Sequence, residues 1–409
     1  MEARDLPARV LSGDPLGSMS PLTSPQSGST VFAAAVVGGG VMGAFSALTA
    51  AQLGMRVLWF GPTESDRLDR AQARNYALSP SSVDLLKRLG VWPTLEELSC
   101  KVTRMEVFSG STRVDLTASD SGSEFLSAMV THGHLLSALE QAVQFCAPIT
   151  RIVERPSSLS VFADHAQLTA GDRVFEARLI LGADGARSWV RNQAGLLWGQ
   201  RDYEQSAIVA TFRTEFPHGG VAAQWFDDGE ILALLPLADP HRVSMVWSRS
   251  PMDSNALALA ADGIAQQVTD RTSQRFGRLD LEGVLTAAPL RMLLTDQLTA
   301  MRVALVGDAG HTVHPLAGYG LNLGIQDLLC LESIWKHHRA DPGSRIALQA
   351  YNKKRGPQLK RVQWGLDLLQ RSVVQTHPTW QRAREIGMRL VAHTGLLRQL
   401  LIQQALGPH

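Results

Sequence analysis

The chain has 409 residues, 45% of them hydrophobic and 19% charged, with a formal net charge of +1. That length buries a large core and predicts two or three structural units, while a near-neutral balance argues against a nucleic-acid binder, which usually carries a strong basic excess. Cys100, Cys146 and Cys330 stand far apart without C-x-x-C spacing, so neither a disulfide framework nor a zinc site is supported and a reducing cytoplasm fits.

Residues 1–30 are rich in Ser, Pro, Gly and Thr and show no apolar period, a composition that predicts disorder. Residues 31–55 carry no charged side chain, but Gly38-Gly39-Gly40 interrupts the continuous helix that a membrane span requires. The segment before them is too long and too mixed in charge for a secretory leader. Residues 31–37 read instead as a buried strand and 44–53 as a helix ended by Gly54. Gly38, Gly40 and Gly43 thus supply G-x-G-x-x-G between a strand and a helix, the setting in which that spacing has a mechanism. The first glycine permits a tight turn, the second lets backbone approach a pyrophosphate, and the third lets helix pack on strand. Free N–H groups at the helix start hold the anion. Residues 56–60 make the second strand of this βαβ unit. An acid is expected at its end to take ribose hydroxyls, yet Gly61 stands there, with Glu64 three residues on.

Arg74-Asn75-Tyr76-Ala77-Leu78-Ser79-Pro80 leads into a helical pattern over 82–90, capped by Ser81 or Ser82. Arg74 suits either a ligand phosphate or a surface ion pair. Residues 105–116 alternate as strands do, and 134–145 repeat apolar residues at helical spacing. His132 and His134 flank Gly133 with no third ligand nearby, so a surface or cap role outweighs metal binding and no metal site is expected. Residues 174–181 read as one apolar strand running into Gly182-Ala183-Asp184-Gly185, whose Asp-Gly turn and following basic residues suit a second phosphate-facing corner. Between 207 and 247, four alternating segments and an Asp227-Asp228-Gly229 turn predict a separate antiparallel sheet that covers a ligand pocket.

Residues 258–276 read as helix, after which the chain returns to an apolar strand entering Gly307-Asp308. Asp308 is a lone carboxylate at a strand end, where open α/β sheets gather their ligands. A turn centred on Pro315 then leads to Gly318-Tyr319-Gly320 at a helix start. Residues 323–338 and 348–406 read as helices. Between Lys353 and Arg398 ten Lys or Arg stand against two acids, a local +8 that leaves the rest of the chain near −7. These amphipathic basic helices read as a solvated cap or as a surface for anionic lipid or a partner protein.

In their order and spacing the three glycine-acid segments resemble the class A flavoprotein monooxygenases, and within them the ubiquinone-biosynthesis hydroxylase family. Arg74-x-x-Ala77-Leu78-Ser79, Pro217-His218, Ala222-x-x-x-Phe226, Gly229, Ala233-Leu234-Leu235-Pro236-Leu237 and Val246-Trp247 match that family. So do His314-Pro315-Leu316-Ala317-Gly318, Gly320-Leu321-Asn322-Leu323-Gly324, Asp327, Tyr351 and Arg355, and the similarity covers about residues 31–406.

The resemblance implies an α/β, para-hydroxybenzoate-hydroxylase-like fold: a Rossmann-like FAD-binding domain, an inserted antiparallel β-sheet substrate domain and C-terminal helices. The expected boundaries are a disordered 1–30, FAD-binding segments over 31–100, 101–200 and 291–340, the substrate sheet over 201–290 and a helical region over 341–409. It further implies hydroxylation of an aromatic ring through a flavin C4a-hydroperoxide, with NAD(P)H as reductant and O2 as oxygen source. Gly38, Gly40 and Gly43 would receive the FAD pyrophosphate, with Arg74 beside them. Asp184 and Gly185 would serve FAD and the passing NAD(P)H. Gly307 and Asp308 would hold the ribityl chain, and the loop from Pro315 through Tyr319, Gly320, Leu321 and Asn322 would lie beside the isoalloxazine. Pro315 and Tyr319 then face flavin and substrate, with no acid or base assignable. The family usually has Gln where Tyr319 stands. The expected substrate is a polyprenylated phenol of ubiquinone biosynthesis, met on the inner face of the cytoplasmic membrane through the basic helices, in a quinone-biosynthesis complex. The alternatives are a flavin hydroxylase of a small secondary metabolite and a catalytically altered accessory protein.

Overall fold

The computed structural model describes residues 31–61, 74–250, 261–312 and 319–374. The expected disorder of residues 1–30, Glu64, Pro315 and the helices expected beyond residue 374 lie outside them. A six-stranded sheet runs in the order Thr299–Ala300, Val303–Leu305, Ile180–Gly182, Ala34–Val37, Val57–Phe60, Ile149–Ile152. Its pairings are parallel except that of Thr299–Ala300. Its central strands Ala34–Val37 and Val57–Phe60 are unbroken apolar runs because both faces are covered, and every residue of both is buried. Strand order reverses at Ala34–Val37. The loops that follow Val37, Gly182 and Leu305 therefore emerge side by side at the carboxyl ends of adjacent strands, where such sheets bind ligands.

An eight-stranded sheet runs in the order His311–Thr312, Leu279–Thr295, Trp198–Thr214, Arg242–Arg249, Glu230–Pro236, Val221–Asp227, Arg104–Ser109, Thr112–Thr117. The four segments expected between 207 and 247 form its centre. Their Asp227-Asp228-Gly229 turn places Asp228 (φ 49°) and Gly229 (φ 77°) in the left-handed region, as a two-residue hairpin of this hand requires. The sheet exceeds the expected 201–290 block: Arg104–Ser109 and Thr112–Thr117, from a stretch assigned to the FAD-binding part, complete one edge, the former pairing in parallel with Val221–Asp227. One face packs on helix Ala261–Arg271 through Ile264 and Val268. On the other, Ala222, Leu235 and Met105 meet Met129 and Ala77 of a small sheet made by Asn75–Leu78, Ser127–Thr131 and Cys100–Val102.

Some expected elements move. The strand read over 174–181 is two, Arg173–Ala177 in a small antiparallel sheet and Ile180–Gly182 in the parallel one. The chain changes sheets at Arg178-Leu179, where the Arg178 N–H donates to Phe32 and the Leu179 carbonyl accepts from Ala35. The helix read from 82 spans Pro80–Arg88 and is capped by Ser79, whose Oγ accepts the Ser82 N–H; proline at the first position already has helical φ. Helix Tyr319–His338 likewise starts before residue 323, and helix Arg345–Val374 continues through Pro357.

Candidate active site

The first loop is built by contacts that only glycine allows. Gly38 has φ 142°, and a Cβ there would lie 2.3 Å from the Ala183 carbonyl oxygen. A Cβ on Gly43 would lie 1.7 Å from the Gly38 carbonyl oxygen, so helix Val41–Gln52 rests directly on the turn. The Trp59 indole, from the neighbouring strand, donates to that same carbonyl (2.9 Å) and fixes the turn from the other side. Gly40 differs. Its φ is −92°, and a Cβ there would meet nothing within 4 Å. The open space above Gly40 faces the N–H groups that begin the helix, which is the room a pyrophosphate needs.

The second part is the Gly307-Asp308 turn. Gly307 (φ 59°) takes the left-handed bend, and Met42 of the glycine helix packs against both it and Gly324. The turn is clamped from below by the fully buried Asp327, whose carboxylate accepts from the Gly307 N–H (2.9 Å), pairs with His311 Nε2 (2.7 Å) and accepts from Arg355 Nε (2.8 Å). Burial opposes its ionisation, but His311 and Arg355 together hold the Asp327 carboxyl below the usual range. Tyr351 donates to the Leu305 carbonyl (2.9 Å) and ties the next helix to the same strand end. These are structural uses of Asp327, Tyr351 and Arg355. Asp308 itself is half-buried, and no hydrogen-bond donor among the described residues satisfies its carboxylate. Burial raises its pKa above the usual range, against the pull of Arg74 and His311.

Other expected site residues take different parts. The Asp184 carboxylate caps the short helix Trp189–Gln193, accepting from Ser188 Oγ, Trp189 N–H (2.7 Å) and Val190 N–H (3.0 Å), so the corner offers a ligand its backbone at Gly185 (φ 81°). Asn322 is buried and bridges elements: its Nδ2 donates to the Ala77 carbonyl (2.8 Å), and its Oδ1 accepts from the Ser79 N–H (3.0 Å) and Ser82 Oγ (2.8 Å). Gly320 and the buried Leu321 open the same helix, and Tyr319 is its first residue. At Gly61, where an acid was expected, a Cβ would lie 3.1 Å from the Arg151 guanidinium, which lies over the Trp59 ring. That neighbour is the far end of an exposed, flexible side chain, so the packing crowds a larger residue without requiring glycine. Arg74 is exposed at the crevice and close enough to oppose the raised pKa of Asp308.

One candidate escaped the sequence reading. The Tyr76 hydroxyl lies 2.9 Å from His132 Nδ1, and burial raises the phenol pKa, with Arg74 pulling it down and Asp308 pushing it up. Tyr76 alternates with Ala77, which faces the eight-stranded sheet, so the phenol points to the crevice side. His132 therefore has a polar partner, and His134 contributes its backbone N–H to the Thr131 cap of helix His132–Gln144.

Open space at Gly40, an unsatisfied carboxylate at Asp308 and a cation at Arg74 border one crevice and fit an extended, phosphate-bearing dinucleotide with polyol hydroxyls. Comparison with known proteins agrees. The FAD binding domain family model matches residues 31–364. The 3-demethoxyubiquinol 3-hydroxylase of Escherichia coli (strain K12) is 32% identical over 342 residues, covering 81% of this chain and 86% of that protein. Ubiquinone hydroxylase UbiL of Rhodospirillum rubrum is 29% identical over 407 residues, covering 97% and 94%. Among solved structures, p-nitrophenol 4-monooxygenase PnpA from Pseudomonas putida DLL-E4 superposes with a TM-score of 0.75 over 93% of this chain and 99% of that one, at 16% identity, a likeness of fold. The chain belongs to the FAD-dependent aromatic monooxygenases of the ubiquinone-biosynthesis hydroxylase family, with the para-hydroxybenzoate-hydroxylase-like fold and NAD(P)H as the reductant typical of them.

Proposed function

We propose that this enzyme hydroxylates the ring of a lipophilic, polyprenylated phenol in ubiquinone biosynthesis. The observation that carries this reading is the half-buried Asp308, without a hydrogen-bond partner among the described residues, in the same row of strand-end loops of the parallel sheet as the open Gly40 cradle. Gly38, Gly40, Gly43 and Arg74 would hold the pyrophosphate, backbone at Gly185 would border it, and Asp308 would take ribityl hydroxyls. Bound FAD supplies hydride acceptance and oxygen activation. The chain supplies position and dryness. Ala207, Val246, Leu290 and Met292, which cluster together on the eight-stranded sheet, would form an apolar lining that keeps water from the reacting ring. Within it the Ser244 hydroxyl is fully buried with no hydrogen-bond partner among the described residues, and it stands opposite Leu235 in the sheet. Pro315 and Tyr319 remain assigned to the flavin-facing loop on the resemblance alone.

Asp308→Ala tests the reading. The variant should purify folded with far less FAD than the parent, and an unchanged flavin content would sink the assignment of the crevice. Peripheral membrane contact belongs to the same proposal. Among the described residues no helix is long and apolar enough to cross a membrane. On helix Arg345–Val374, however, Trp364 and Leu368 are 70% and 49% exposed one turn apart, with exposed Lys360 and Arg361 a turn before. Basic residues beside exposed aromatic and aliphatic ones suit an anionic lipid surface. Trp364→Ser combined with Leu368→Ser should reduce cosedimentation with phosphatidylglycerol vesicles, and undiminished binding would place the contact elsewhere.

A further inference from the structure

Strand Val221–Asp227 places a glutamine on an otherwise apolar row of the eight-stranded sheet. Ala223 and Trp225 point into the core under helix Ala261–Arg271, so Ala222, Gln224 and Phe226 lie on the opposite face. That face borders the crevice. Ala77, packed on it, is the neighbour of Tyr76, which Arg74 and Asp308 influence, and Leu293 and Leu294 of the same sheet pair with Thr312 and His311 just past Asp308. Register then sets the row: Val107 pairs with Gln224 on one side and Ala233 on the other, followed by Val246 and Val209. Gln224 is its one polar member.

The row lies between two covers. On one side Ala222 and Leu235 pack under Met129 and Ala77 of the small sheet, and on the other Phe226 and Ile231 pack under Leu366 of helix Arg345–Val374. Between them Ala233, Val246 and Val209 are only half-buried, whereas the row behind them on the other face, Ala223, Leu234, Met245 and Ala210, is at 0% exposure. The half-open row is therefore a trough, floored by short and branched side chains that suit a flat ring. Into it the sheet sets one polar group that the fold does not use. Gln224 is 6% exposed, and its amide makes no hydrogen bond among the described residues. Buried side-chain amides nearly always find a partner, because an unpaired one costs stability. Val107 and Ala233 beside it offer none, and the Thr286 hydroxyl at the end of the row is turned to the Val209 carbonyl.

We propose that Gln224 is a specificity-determining residue of this enzyme: its amide takes an oxygen substituent of the aromatic substrate while the ring lies on Ala233, Val246 and Val209. The inference rests on the reading of the enzyme as a phenol hydroxylase and names a residue that recognises the phenol. A primary amide suits that oxygen in both its roles, because Oε1 accepts from a phenol O–H and Nε2 donates to a phenol or ether oxygen. In an apolar site a single placed polar group fixes which way the ring faces. A ring lacking the oxygen leaves the amide unpaired in the complex and is discriminated against for that reason.

The test is calorimetric titration of the FAD-loaded enzyme, without NAD(P)H, with 2-allylphenol and with allylbenzene, which differ only in the hydroxyl. The parent should bind the phenol more tightly by about five- to tenfold, the worth of one neutral hydrogen bond. Gln224→Met keeps the length of the side chain and removes the amide. It should bring the two affinities together by weakening 2-allylphenol, with flavin content unchanged. Because no protein group depends on the amide, the variant should unfold at a temperature no lower than the parent does. Gln224→Leu, of different shape, separates loss of the amide from misfit of its replacement. A preference for the phenol that survives both substitutions, or a fall in thermal stability common to both variants, would overturn the inference and leave the phenol reading standing. A parent that binds the two probes alike, or binds neither, would overturn both.

Discussion

Gly40 and Gly43 lie in one motif, yet the geometry assigns them opposite consequences on substitution by alanine. At Gly43 the new Cβ would sit 1.7 Å from a backbone carbonyl oxygen that also accepts the Trp59 indole. Neither the turn nor the helix has a flexible end to swing aside, so the helix must lift by more than an ångström. Overpacking costs about 1–3 kcal/mol, and the hydrogen bond lost at the buried carbonyl adds about 1 kcal/mol, which gives roughly 2–4 kcal/mol. At Gly40 the Cβ enters open space and φ is ordinary for alanine. The weaker helix cap costs up to about 1 kcal/mol, offset by about 0.4–1 kcal/mol from a less flexible unfolded chain. Urea titration of the flavin-free proteins should therefore find Gly40→Ala close to the parent and Gly43→Ala clearly destabilised. Flavin content should fall in both, in Gly40→Ala because the methyl group occupies the pyrophosphate's space. Equal stability losses, or Gly40→Ala holding FAD as the parent does, would refute this account of the loop.

Two further substitutions probe the surrounding frame. Asp327→Asn leaves Arg355 and His311 buried without their counter-charge and should cost about 3–5 kcal/mol. Its carboxyl is held below the usual range in the folded state, so its contribution is fully present above the unfolded value near 4 and is lost as pH falls through the lower folded value. Acid titration of stability should consequently be shallower below about pH 4 in the variant, and parallel curves would show that Asp327 does not carry that dependence. Tyr76→Phe removes a hydroxyl that faces Arg74, Asp308 and His132 while keeping the ring, so FAD affinity measured by flavin fluorescence should drop by up to about tenfold with little change in unfolding. Identical affinity would remove Tyr76 from the crevice.

The three strand-end loops assigned to the ligand were legible as turns because each is marked by residues with a local reason to be there: glycines at a strand-to-helix turn, an Asp-Gly turn and a lone acid after an apolar strand. Their convergence was legible only through the family resemblance, since no local pattern states which strands lie adjacent. Alternation shows that residues 104–117 are strands but not that Glu106 faces Ala223 across a parallel pairing. Asp184 reads equally as a ligand and as a helix cap, and only the positions of the Trp189 and Val190 N–H groups decide. Asn322 sits inside a motif that points to the cofactor, whereas its side chain reaches residues more than two hundred positions earlier in sequence, at Ala77 and Ser79. The crowding at Gly61 was equally hidden, because the Arg151 side chain beside it comes from a strand ninety residues later. Tyr76 was passed over for a similar reason: a tyrosine in a short strand carries no signal until its neighbours are known.

The ribbon formed by Trp198–Thr214 and Leu279–Thr295 has a consequence for how this protein comes apart. Both strands are 17 residues long, and Leu293 and Leu294 continue the pairing onto Thr312 and His311, three residues past the Asp308 turn. The ladder that roofs the proposed substrate side is thus the same ladder that ends beside the proposed flavin side, and the described residues form one unit by contact. No cut through the chain separates a free-standing cofactor module from a free-standing substrate module, because either fragment would expose a torn sheet edge. Flavin fluorescence and tryptophan emission should accordingly report one and the same denaturation midpoint.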